Sequence, residues 1–229
     1  MKFKPSYTSS IAEDIMAERL IRAQAVEFLA DAPMRLKSGL ISPVYVDNRK
    51  LFSHPEAWRD IVETMASRVE EYNLEFDIVA GVEAAGSMHA AALAYRLGLA
   101  AILVRQKAKT YGNHSRIEGG DVKGMRVLLL EDHISTGLSC LDAIRALRGE
   151  GAQVTQVMSI TNYAIPETQR LFKQEGIDTY DVIAFEKVVR KAKEMGVIDD
   201  EHEKLVLEWL QTPWTWAAMH GVVASAIEN

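Results

Sequence analysis

The 229-residue sequence predicts an α/β protein, with a central, mostly parallel sheet flanked by helices. Two observations predict this class. Four short apolar runs, at residues 78–82, 101–104, 127–130 and 182–185, together with a further strand at 154–160, alternate with segments of helical spacing. Strands buried on both faces and separated by helices build parallel sheets. Two of the runs also end in turns of small or hydroxylated residues that open a helix, a geometry in which backbone amides gather at a strand end. No internal repeat and no long polar linker divides the chain, so one domain over 1–229 is expected.

Residues 9–29 read as a helix, with Ser9 or Ser10 as its cap, Glu13 following, and Ile11, Ile15, Leu20, Ile21, Ala25 and Phe28 as its apolar stripe. From Met34 to Asp47, a Ser38-Gly39 turn between two short alternating segments predicts a hairpin. Residues 55–72 predict an amphipathic helix, with Trp58, Ile61, Val62, Met65 and Val69 on one face. The strand at 78–82 ends in Glu83-Ala84-Ala85-Gly86, and an Ala-rich helix spans 88–97. Small residues there let backbone approach a ligand, although such a turn on its own often serves only helix–sheet packing.

After the strand at 101–104 comes Arg105-Gln106-Lys107-Ala108-Lys109-Thr110-Tyr111-Gly112, basic and then glycine-containing, which describes a mobile loop. The run at 127–130 leads into Glu131-Asp132-His133-Ile134-Ser135-Thr136-Gly137-Leu138-Ser139, followed by a helix with Leu141, Ile144 and Leu147 on one face. A hydroxyl-rich turn at a helix N-terminus suits an anion. Paired carboxylates at the same strand end would repel a bare phosphate, so the pattern fits a ligand that also carries hydroxyls or a divalent cation. Further on, 154–160 is a strand, 166–175 a helix, 182–185 a last strand and 186–211 a charged helical stretch, with 201–208 as a solvated face. Beyond Pro213, Trp214 and Trp216 are expected to dock on the body or on a partner chain.

Composition excludes several classes. A net charge of −6 argues against a broad nucleic-acid footprint. The single cysteine, Cys140, excludes a disulfide framework and fits a reducing cytoplasm. No apolar run reaches the roughly 18–20 residues of a membrane span, and the N-terminus has no signal-peptide core. A cytoplasmic protein without membrane contact is the expectation. The glycine–lysine loop of P-loop nucleotide sites and the Gly-x-Gly-x-x-Gly dinucleotide turn are both missing.

The run Leu128-Leu129-Leu130-Glu131-Asp132-His133-Ile134-Ser135-Thr136-Gly137 resembles the phosphoribosyl-diphosphate (PRPP) signature of type I phosphoribosyltransferases. The block Leu36-Lys37-Ser38-Gly39, Ser42-Pro43, Tyr45, Asp47, Arg49 and Ser53-His54-Pro55 is similar to the N-terminal hood of the orotate phosphoribosyltransferases, and the basic loop is similar to their catalytic lid. The resemblance covers about residues 10–185. It implies a type I phosphoribosyltransferase fold with a hood from about 9–50, a helical tail from about 186–229 lying outside the match, orotate and PRPP as substrates, and Mg²⁺ held mainly through PRPP rather than by protein ligands. It further implies a homodimer in which the 105–119 loop acts in the neighbouring site.

Residue by residue, the resemblance implies that Glu131 and Asp132 hold the ribose hydroxyls, while Ser135, Thr136, Gly137, Leu138 and Ser139 cradle the 5′-phosphate. Glu83, Ala84, Ala85 and Gly86 would form the diphosphate loop. Lys37, Arg105, Lys107 and Lys109 would supply positive charge, with Lys109 the catalytic lysine of the lid, Tyr111 beside it and Tyr45 in the hood near the base. Three positions depart from the family pattern: Gln106 stands where a lysine is usual, Leu138 where Gly or Ser is usual, and His89 in a helix otherwise apolar at that point. Two other readings stay open: a phosphoribosyltransferase for a different base, and a non-catalytic PRPP-binding regulator favoured by Gln106 and Leu138.

Overall fold

The structure, a computed structural model, describes residues 9–108 and 115–222. The chain opens with helix α1 (Ser9–Arg22) and strand β1 (Val26–Phe28), followed by β2 (Met34–Arg35), β3 (Ile41–Ser42) and β4 (Val44–Val46). The hairpin expected around Ser38-Gly39 is present as the antiparallel pair β2–β3, with Gly39 at φ +89°, where a side chain would be strained. The helix expected over 9–29 stops at Arg22. Gln24 turns left-handed at φ +53°, and the Ala25 N–H closes back onto the Leu20 carbonyl. The apolar residues beyond it then join a sheet, Val26 opposite Val46 and Phe28 opposite Val44. A β-branched residue released from the helix finds a better partner across a strand than along a turn.

A 3-10 helix (Asn48–Ser53) and α2 (Pro55–Glu71) lead into β5 (Ile78–Val82), α3 (Ala85–Leu97), β6 (Ala100–Val104) and β7 (Ile117–Glu118). Then follow β8 (Arg126–Ile134), α4 (Leu138–Gly149), β9 (Gln153–Asn162), α5 (Pro166–Gln174) and β10 (Asp178–Ala184). Six strands form one sheet in the order β10-β9-β8-β5-β6-β7, parallel except for β7. The sequence gives β7 no signal, being only two residues long; it exists because Ile117 and Glu118 pair with Val104 and Leu103. Strand β8 also outruns its apolar stretch, because β9 continues alongside it, with Glu131 opposite Ser159 and His133 opposite Thr161. The acidic pair therefore lies within the ladder rather than after it.

Alternation along the strands divides the core in two. Val79, Leu128, Leu130, Met158 and Ile160 point to the face covered by α1, α2, α3 and the C-terminal helices. Ile78, Ala80, Val127, Leu129 and Val157 point to the face covered by α4 and α5. The C-terminal stretch is not one helix: α6 (Phe185–Glu194) ends before Gly196, at φ +69°, and α7 (Asp200–Gln211) starts on an Asp199 side chain that accepts from the His202 N–H. A last turn, α8 (Trp216–Met219), follows. Trp209 and Trp216 are fully buried whereas Trp214 is half-exposed. Trp209 donates its indole N–H to the Ile41 carbonyl at 2.8 Å, tying the tail to the N-terminal strands.

Candidate active site

The site lies at the carboxyl ends of β5 and β8. The helix after β5 packs on one face of the sheet and the helix after β8 on the other. Neighbouring strands whose connections leave on opposite faces open a crevice between them, the usual ligand position in such sheets. Both helices present N-termini to this crevice, and neither is capped by a side chain: Ala84 precedes α3 and Gly137 precedes α4. Their first N–H groups are thus left for anions, aided by the positive ends of two helix dipoles.

The two turns are built around close approaches. A Cβ on Gly86 would sit 2.6 Å from the Leu130 carbonyl oxygen and 3.2 Å from Glu131 Cα, so only glycine lets the 83–86 loop lie against the end of β8. Gly137 adopts φ +72°, and a Cβ there would meet Thr168 Cγ2 at 2.9 Å and Phe172 at 3.0 Å. Leu138, the first residue of α4, directs its side chain outward and is 61% exposed, so it leaves the turn uncrowded. Ser135 Oγ is buried without a hydrogen-bond partner among the described residues, and Thr136 is half-buried beside it.

Glu131 is buried, and Asp132 next to it is half-buried. Burial, and then the neighbouring Asp132 charge, push the Glu131 carboxyl well above its usual range, while burial also raises Asp132. Ser139 Oγ donates to Glu131 Oε2 at 3.0 Å, so its hydroxyl is engaged with the carboxylate and its backbone N–H is what faces the helix N-terminus. Cys140 is buried behind the same carboxylate.

Asn48 joins the site from outside the sequence motifs. Its Nδ2 donates to the Asp132 carbonyl at 2.7 Å and to Thr161 Oγ1 at 3.0 Å, fastening the 3-10 helix to the ends of β8 and β9. His133 Nδ1 meets the same Thr161 hydroxyl at 2.9 Å, and its ring packs edge-on against Tyr163. Burial keeps that imidazole neutral, with a pKa down to about 3. No local pattern marks Asn48; only the contact across the fold reveals it.

The two remaining departures find partners. Trp58 Nε1 donates to His89 Nδ1 at 3.2 Å, with the Phe52 ring 4.8 Å away, so His89 joins α3 to α2 and the 3-10 helix as a neutral ring, its pKa lowered to about 3 by burial. Gln106 donates its backbone N–H to Glu83 Oε2 and its side-chain Nε2–H to the Glu83 carbonyl, both at 3.1 Å. The residue standing at the lysine position thus holds the 83–86 loop from the root of the basic segment.

Of the expected cations, Lys37 is exposed at the β2–β3 turn, Lys107 is exposed beyond β6, and Arg105 pairs with Glu118 at 2.9 Å. Tyr45 is half-buried on β4. Lys109 and Tyr111 lie outside the described residues. Among the described residues no group of three or more His, Cys, Asp or Glu side chains is placed to hold a metal ion.

The phosphoribosyl transferase domain family model matches residues 47–194, and the chain belongs to that family. The chain is 40% identical to an orotate phosphoribosyltransferase of Coxiella burnetii over 201 residues, covering 88% of this chain and 96% of that one. By structure it is similar to the UMP synthase of Leishmania donovani (TM-score 0.76, 27% identity, 87% of this chain but 42% of that longer one). It is also similar to the orotate phosphoribosyltransferase of Mycobacterium tuberculosis H37Rv in complex with PRPP (TM-score 0.60, 26% identity, 77% of this chain and 98% of that one). Within the family, the chain is one of the orotate phosphoribosyltransferases.

Proposed function

We infer that the protein transfers the phosphoribosyl group of PRPP to orotate, giving orotidine 5′-monophosphate and diphosphate. The observation that carries this reading is the pair of uncapped helix N-termini on either side of the buried Glu131–Asp132 carboxylates. PRPP needs that arrangement: an anion site for its 5′-phosphate, a second for its diphosphate, and acceptors for the ribose hydroxyls between them. The 135–139 turn takes the first, the 83–86 loop the second, and Glu131 with Asp132 the hydroxyls.

In the reaction the C1–O bond to diphosphate breaks and the C1–N bond to orotate forms, with positive charge growing on the ribose. No covalent nucleophile is required; the chain orients both substrates and stabilises the departing diphosphate. Arg105, Lys107 and Lys109 belong to the segment that leaves β6 beside the 83–86 loop, so a lid closing from there would bring cations to the leaving group and exclude water. Mg²⁺ suits this reading as a cation carried mainly by PRPP oxygens and water, the coordination it prefers. When bound it neutralises diphosphate charge.

A homodimer is the assembly this reading favours. The outer side of α3 exposes Met88 and, seven residues on, Tyr95, a surface that would suit contact with a second subunit. Among the described residues no helix is long and apolar enough to cross a membrane, and the buried free Cys140 accords with a reducing cytoplasm.

The test is substrate choice. Purified protein with PRPP and Mg²⁺ is given orotate, uracil, adenine or hypoxanthine, and diphosphate release and nucleotide are measured. Orotate alone should be converted. Faster conversion of another base would replace orotate in this reading, and intact PRPP binding without any conversion would leave a regulator.

A further inference from the structure

Three anionic groups of PRPP and orotate must be met in the crevice, and two are accounted for by the helix N-termini. Arg49 belongs to neither. It sits on the 3-10 helix, next to Asn48, whose amide is bonded to the Asp132 carbonyl at 2.7 Å and to Thr161 at 3.0 Å. The guanidinium belongs to the hood and lies near enough to Asp132 for that carboxylate's charge to act on it.

The Arg49 fork is held from one edge only. Nε donates to Asp47 Oδ1 at 2.6 Å and Nη2 to Asp47 Oδ2 at 2.9 Å, and the Asp47 backbone register is fixed by its own N–H on the Ala25 carbonyl. Nη1 has no hydrogen-bond partner among the described residues, and the side chain is 59% exposed whereas Asp47 is 17% exposed. Hydrogen bonding by Asp47, with the Tyr45 and Asp132 groups adding to it, keeps the guanidinium charged. A planar fork oriented by one carboxylate presents its remaining donors as a matched site for a second one.

We propose that Arg49, oriented by Asp47, is the specificity-determining residue that recognises the carboxylate of the base, and so selects orotate over bases lacking that group. This assignment rests on the orotate reading above. A lysine would keep the charge but lose the planar pairing, which gives the proposal a graded test.

The experiment measures steady-state constants for wild type, Arg49→Lys and Arg49→Ala with PRPP, Mg²⁺ and either orotate or uracil. For Arg49→Ala the KM for orotate should rise roughly 10–100-fold while the KM for PRPP stays within about twofold, the latter also showing that the variant is folded. The preference for orotate over uracil should collapse by a similar factor, and Arg49→Lys should fall between. An unchanged orotate preference, or equal rises in both KM values, with wild type active, overturns the Arg49 assignment alone. A wild type that turns over no orotate overturns the functional reading and this assignment with it.

Discussion

Glu131 is a carboxylate kept where the fold does not favour a charge. Its pKa is raised above the unfolded value of 4.5 by burial and by Asp132, so ionisation costs stability. That cost sets in as pH rises through the unfolded value and is complete once pH exceeds the folded one. Glu131→Gln removes the charge and still offers Ser139 an acceptor. It should therefore raise Tm at neutral pH, by about 2–4 °C for each kcal/mol relieved, while kcat/KM falls by roughly a hundredfold. Calorimetry beside turnover assays checks both; a lower Tm would show that the charge is structural. The acidic pair, the hydroxyl turn and Lys37 were legible as residue types in a run. Asn48, Thr161 and the Trp58–His89 pair were not, because each matters only through a partner from 31 to 113 positions away.

At the scale of elements, apolar runs located β5, β6, β8 and β10, since a continuous apolar stretch marks a strand without any alternation. The ends were less legible. α1 stops at a left-handed Gln24, and β8 extends through two acids because β9 supplies a ladder for them. β7 and the root of the basic segment depend on pairing with β6, which no local pattern encodes. That root is where Gln106 bridges two elements, holding Glu83 by two hydrogen bonds. Gln106→Ala should loosen the 83–86 loop and raise the KM for PRPP roughly tenfold, with orotate KM little changed. Gln106→Lys, which restores a cation but not the amide bond to the Glu83 carbonyl, should not exceed wild-type activity. A faster Lys variant would show that the amide contact contributes nothing.

For the whole molecule, the doubly wound sheet creates the crevice at the ends of β5 and β8, and Gln106 ties the start of the basic segment to the 83–86 loop. If that segment serves the neighbouring subunit's site, sites are shared between chains. Lys109→Ala and Asp132→Asn should each be nearly inactive as pure proteins, with PRPP binding retained in the former. Mixed after dissociation, they should recover about a quarter of wild-type activity, because half the dimers are mixed and each holds one intact site. Mixtures no more active than their parents would place the lid over its own subunit's site.

The central claim is tested most directly by following orotate absorbance after mixing the protein with PRPP and Mg²⁺. The account predicts a loss of orotate signal that requires protein, PRPP and Mg²⁺ together and stops when any one is omitted. An unchanged orotate signal, with PRPP binding intact by calorimetry, would contradict it.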